Sequence, residues 1–155
     1  VLMASGLKLP NNVAAIMADS PYSAPADIIR KVCRDRHLPD ALAYPFIRLS
    51  ARIYGNFDLT ETTAVASVQH AKVPILLLHG EDDRFVPCEM SRIIYNACAS
   101  PCQLQIFPAA GHGLCYITDP KRYEEVCTKF LWSIPTLKPY MQNNDFIKKE
   151  LNEHG

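Results

Sequence analysis

The sequence predicts an α/β fold of about three parallel strands with flanking helices and a helical insertion. Short apolar runs of strand length occur at Val13–Ala18, Ile75–His79 and Gln103–Phe107. Stretches of helical period separate them, which is the alternation of a parallel sheet. Hydrophobic residues make up 48% of the 155 residues and charged residues 21%, the composition of a globular domain with its own core.

Residues 1–6 read as the end of a helix stopped by Gly6, and Leu7 to Asn12 as a connection. Val13 to Ala18 is a strand that ends at Asp19-Ser20-Pro21. Its unbroken apolarity points to burial on both faces. Ala26–Arg34 has helical spacing, with Ile28, Ile29 and Val32 apolar. Ala41–Tyr54 is a second helical stretch, carrying Phe46, Ile47, Leu49 and Ile53. No strand signal falls between the two, so residues 24–60 read as a helical insertion between strands. Glu61 to His70 is a further short helix built on Ala64, Val65 and Val68.

Ile75 to His79 is the second strand. Pro87 suits a first helical turn, and Met90, Ile93, Ile94 and Ala97 then share one face. The third strand alternates Leu104 and Ile106. Asp119-Pro120 opens the clearest helix, an Asp cap with Pro just inside. Its stripe is Tyr123, Val126, Cys127, Phe130 and Leu131. Residues 1–133 form the domain and 134–155 a polar C-terminal tail, with a short amphipathic helix around Phe146, Ile147 and Leu151.

Right-handed crossovers between adjacent strands place the connecting helices on one face of the sheet. The helix after Pro120 is left to cover the other. Ligand chemistry in such sheets occurs beyond the carboxyl ends of the strands. Asp19, Asp83 and His112 all fall there.

The formal net charge is zero, and the basic residues are scattered. Nucleic acid and anionic membrane are therefore poor candidates as partners. The longest apolar run, Val73 to Leu78, contains Pro74 and is far too short to span a bilayer. No signal peptide is visible, so a cytoplasmic location is expected. The chain opens on Val1-Leu2-Met3-Ala4 without a Met start, which leaves open a targeting or membrane segment upstream. Six cysteines occur, without Cys-x-x-Cys pairs or zinc spacing. They read as reduced, mostly packed thiols of an intracellular protein. No Gly-rich phosphate loop follows any strand, and no metal or cofactor is expected.

The most informative stretch is His79-Gly80-Glu81-Asp82-Asp83-Arg84-Phe85-Val86-Pro87, with Gly111-His112-Gly113 after the next strand. Each lies at the end of a strand. A carboxylate and an imidazole thus stand on neighbouring loops, two members of a nucleophile–base–acid triad. A lone histidine between glycines has little packing role. These two motifs and the helix that follows resemble the C-terminal half of the α/β-hydrolase family. The likeness runs from about residue 1 to residue 132 and implies a partial α/β-hydrolase fold with residues 24–60 as a helical lid. It is nearest to bacterial serine hydrolases of esterase or peptidase type. The resemblance implies that Asp83 orients His112, and that His112 moves the proton of a serine hydroxyl.

Asp82 or Glu81 takes the orienting position if the loop register differs. Asp19 is a weaker rival, since some such folds place the acid after the preceding strand. Its plainer reading is a cap on the turn at Ser20-Pro21. Arg84 reads as a surface or ion-pair residue and His79 as a packed strand-end residue. Tyr44, Phe46 and Tyr54 either line an acyl pocket or pack the lid itself.

No Gly-x-Ser-x-Gly turn occurs in the chain. Ser5 and Ser20 lie outside that motif, and Cys115 follows the histidine too closely to be an obvious partner. By resemblance the nucleophile and the oxyanion hole belong upstream of Val1, so these residues alone are expected to be inactive. The substrate expected of the whole is a small-molecule ester or acyl compound. An open strand edge also invites self-association. The alternative is a non-catalytic α/β interaction domain that binds a partner through that edge.

Overall fold

The computed structural model describes residues 1–142. The helix expected around Phe146, Ile147 and Leu151 lies outside the described residues. Three parallel strands form one sheet: β1 (Ile16–Asp19), β2 (Ile75–Gly80) and β3 (Cys102–Phe107), in that spatial order. All six residues of β2 are buried, as a middle strand covered on both faces requires. Ile75 and Leu77 enter one apolar cluster with Ile16, Val68 and Ile94. Leu76 and Leu78 enter the other with Phe107, Ala110 and Phe130.

β1 starts at Ile16 rather than at Val13. Ile16 is in register with Ile75, and the residue before Ile75 is Pro74. Pro74 accepts from the Ile16 N–H at 2.9 Å but has no N–H of its own, so the ladder goes no further back. Ala14 and Ala15 still pack on the second cluster.

The insertion is helical, as expected. It holds α1 (Pro25–Asp35) and α2 (Asp40–Tyr54). The Arg30 guanidinium lies 4.5 Å over the ring of buried Tyr44. Arg48 bonds both carboxylate oxygens of Asp58, at 2.9 and 2.8 Å. This paired guanidinium holds the Asp58 carboxyl well below the usual carboxylate range. Leu42, Phe46, Leu49 and Ile53 lie exposed along α2.

α3 (Ala64–Val68) is shorter than the expected 61–70, because Thr63 accepts from the Ala66 N–H at 3.0 Å and caps it there. α4 (Glu89–Ala97) turns Met90, Ser91 and Ile94 inward. Ile93, expected on that face, is 44% exposed, and Ser91 takes its place. A single turn, α5 (Cys115–Thr118), follows β3 and was not anticipated. α6 (Pro120–Trp132) begins as expected, with Asp119 accepting from the Arg122 N–H at 3.1 Å. Beyond it Ile134 packs into the second cluster, and α7 (Lys138–Gln142) buries Met141. α3 and α4 cover one face of the sheet and α6 the other, the arrangement right-handed crossovers dictate.

All six cysteines are free thiols. Burial pushes the Cys115 thiol up to about 12 and Cys127 up to about 11 from an ordinary 9.0. Both hold their protons more tightly folded than unfolded. The stability they confer is full below pH 9 and is lost as pH rises toward 11–12. The melting temperature should therefore fall progressively above pH 9, and Cys115→Ala should flatten that slope. Phe130→Ala should cost about 3–5 kcal/mol in denaturant titrations. Phe46→Ala, at a side chain 71% exposed, should change stability by less than about 0.5 kcal/mol.

Candidate active site

Hydrogen bonds tie the turn after β2 to the turn after β3. The Glu81 N–H donates to Phe107 O at 2.9 Å, and the Asp82 N–H to Ala110 O at 3.0 Å. Gly80 makes this approach possible, since a Cβ there would stand 2.3 Å from the Ala110 carbonyl oxygen.

Asp83 sits in the first of these turns. Its Oδ1 accepts the N–H groups of Phe85 at 2.9 Å and Val86 at 2.8 Å, a local turn that folds the carboxylate inward. The side chain has no solvent exposure, so its charge depends on those donors and on its next partner. That partner is His112: Nδ1 lies 2.8 Å from Asp83 Oδ2. A carboxylate accepts, so Nδ1 carries a proton, and in the neutral ring Nε2 then keeps a free lone pair. The His112 side chain is 44% exposed, and the Phe85 ring meets it edge-on at 5.0 Å between centroids.

The end of β1 completes the arrangement. The Gly113 N–H donates to Ser20 Oγ at 3.2 Å, and that hydroxyl donates to Asp19 Oδ1 at 3.1 Å. Gly113 has φ 66° and Ser20 has φ 51°. Left-handed backbone is free for the glycine and strained for the serine. Gly111, on the other side of His112, has no positive φ.

The structure thus brings Asp83 and His112 together. The Asp19 carboxylate is bonded to Ser20 rather than to His112. Glu81 and Asp82 are exposed and serve through their backbone N–H groups. Arg84 is exposed, and its carbonyl accepts from Lys31 Nζ of α1 at 2.7 Å. Ser5 is buried in the short 3-10 helix Leu2–Gly6. Cys115 is fully buried, and so high a thiol pKa makes it a poor nucleophile at neutral pH. Among the described residues, no serine hydroxyl is hydrogen-bonded to His112, and no three His, Cys, Asp or Glu side chains converge as a metal site.

Two contacts were not foreseen. His79 Nε2 lies 3.3 Å from Asp83 Oδ2, and no sequence rule marks that approach across a strand end. The grip of Ser20 on Gly113 joins residues 93 apart and has no local signature.

A sequence model of the serine aminopeptidase S33 family matches residues 28–119. The YqkD protein of Bacillus subtilis (strain 168) is 20% identical over 131 residues, which cover 84% of this chain and 43% of the relative. An esterase of Pyrococcus furiosus superposes with TM-score 0.59 at 18% identity, over 86% of this chain and 48% of the esterase. A butyrate-bound esterase, Est2 of Thermogutta terrifontis, gives TM-score 0.58 at 18% identity, over 83% and 49%. A puromycin-hydrolysing peptidase of Mycobacterium tuberculosis gives TM-score 0.61 at 18% identity, over 86% of this chain and 20% of the peptidase. The chain therefore spans about half the length of these esterases or less of the longer relatives. At such identities the structural likeness establishes the fold.

Gly80→Ala should lower stability by about 1–3 kcal/mol, because the Ala110 backbone has to move. Urea titration checks this, and an unchanged midpoint would show that the two turns are not held in contact.

Proposed function

Because the chain belongs to the S33 serine aminopeptidase family of α/β-hydrolases, we propose that Asp83 and His112 are the acid and base of a Ser–His–Asp triad that cleaves carboxylic esters or related acyl bonds. The 2.8 Å contact between Asp83 Oδ2 and His112 Nδ1 carries the reading. It fixes the tautomer that leaves Nε2 as the proton acceptor. Nε2 takes the hydroxyl proton of the attacking serine and returns it to the leaving group. Asp83 stabilises the imidazolium formed between those steps.

The serine and its oxyanion hole come from sequence outside these 155 residues. The open side of the site supports this: Asp19 and Ser20 line a cleft of about 280 Å³ with Met3, Met17 and Tyr22, next to the His112 turn. Its largely apolar wall suits the acyl part of a substrate. Residues 24–60 act as the lid, fastened to the acid turn by the bond from Lys31 to the Arg84 carbonyl.

The chain alone should hydrolyse p-nitrophenyl acetate at the background rate. Expressed together with the coding sequence upstream of Val1, it should turn over that ester and label one serine with a fluorophosphonate. His112→Ala should then lower turnover by about a thousandfold or more, since triad members act as a unit. Full turnover in the His112→Ala protein would overturn the assignment.

The second reading is an interaction domain. β1 pairs with β2 alone among the described residues, and Met17 and Asp19 on it are exposed. An open strand edge is a template for a further strand, from a partner or a second copy. Light scattering should show self-association at high concentration, and a monodisperse monomer would count against edge pairing.

A further inference from the structure

His79 precedes Gly80 at the end of β2 and is fully buried. A buried imidazole needs partners for both ring nitrogens. Ser91 of α4, also fully buried, meets Nδ1 at 2.6 Å. The Val86 carbonyl meets Nε2 at 2.8 Å. A carbonyl only accepts, so these partners assign the proton to Nε2, and in the neutral ring Nδ1 accepts from the Ser91 hydroxyl. The same residue, Val86, donates its N–H to Asp83 Oδ1 at 2.8 Å. His79 thus grips one side of Val86 while Asp83 grips the other. Its Nε2 also stands 3.3 Å from Asp83 Oδ2, the oxygen that meets His112.

The geometry assigns His79 as a positioning residue for Asp83, oriented in turn by Ser91; the assignment rests on reading Asp83 and His112 as acid and base. Removing the imidazole strips the Val86 carbonyl of its donor. The turn over residues 83–86 is then free to relax, and its relaxation rotates the carboxylate through the Val86 N–H. Oδ2 turns away from His112 as it does so. His79 itself touches no substrate, since it lies wholly in the interior beneath the acid. Packing alone does not account for it. An apolar side chain fills the same volume without a buried serine, yet Ser91 occupies the inward position on α4 where Ile93 was expected.

The test follows the ring Nδ1–H of His112 by nitrogen-edited NMR in the 155-residue chain. The wild-type protein should show this proton in slow exchange with water. His79→Leu should speed its exchange about tenfold, the effect of one weakened bond to a charged group, while the backbone amide spectrum stays folded. His79→Gln places an amide N–H toward the Val86 carbonyl and should return the exchange to within about threefold of wild type. Ser91→Ala keeps the imidazole and frees only its Nδ1, so it should give a smaller acceleration in the same direction. That variant decides the matter if His79→Leu does not fold. Unchanged exchange in the folded His79→Leu protein, or in Ser91→Ala where the former is unfolded, overturns the positioning role. Absence of a protected Nδ1–H in the wild-type chain instead removes the Asp83–His112 pair, and the role of His79 with it.

Discussion

A buried carboxylate has to be satisfied, and the local structure of this end of the sheet follows from that constraint. Asp83 has no solvent on its side chain. An unpaired charge in such a place costs several kcal/mol, enough to erase much of a domain's net stability. Two backbone N–H groups and one imidazole meet the need. Each imposes a geometry: the N–H groups bend the chain into a turn, and the imidazole sets where the next loop must lie. The contacts that satisfy the Asp83 carboxyl are also the ones that set where the His112 ring lies.

The parallel sheet supplies the place where this is possible. Its strands all end on one side, so loops far apart in sequence meet there. Gly80 lets two of them touch at backbone distance. Ser20, the first residue after β1, accepts a strained φ and holds the turn after His112. Strain of this kind persists only where the surroundings over-determine it, and here Asp19 and Gly113 both bind the hydroxyl. The insertion joins the same frame through Lys31, which also pairs with Asp35 on its own helix.

Much of the architecture was legible because its causes are local. The run at Ile75–His79, the alternation in β3 and the Asp119-Pro120 cap each declare an element without reference to anything distant. What failed depended on partners. β1 starts late because Pro74 stands just before the neighbouring strand β2 and has no N–H to extend the ladder. The inward face of α4 is rotated because Ser91 serves His79, and a periodicity count assigns serine to the outside. On α2 the aromatic residues divide, with Tyr44 buried under Arg30 and Phe46 and Tyr54 exposed. Apolarity does not tell those apart. At the site, the family resemblance favoured Asp83 but left Glu81, Asp82 and Asp19 in contention. Only the fold of the turn, with Oδ1 on two N–H groups, makes Asp83 the residue whose other oxygen reaches His112.

The contact between Asp83 and His112 is open to a double-mutant cycle. Denaturant stability is compared for the wild-type chain, Asp83→Ala, His112→Ala and the pair. If the two side chains are locked together at 2.8 Å, their coupling energy should exceed about 0.5 kcal/mol, as for residues in direct contact. Losses that simply add, to within about 0.3 kcal/mol, would mean that Asp83 and His112 do not meet in the folded protein.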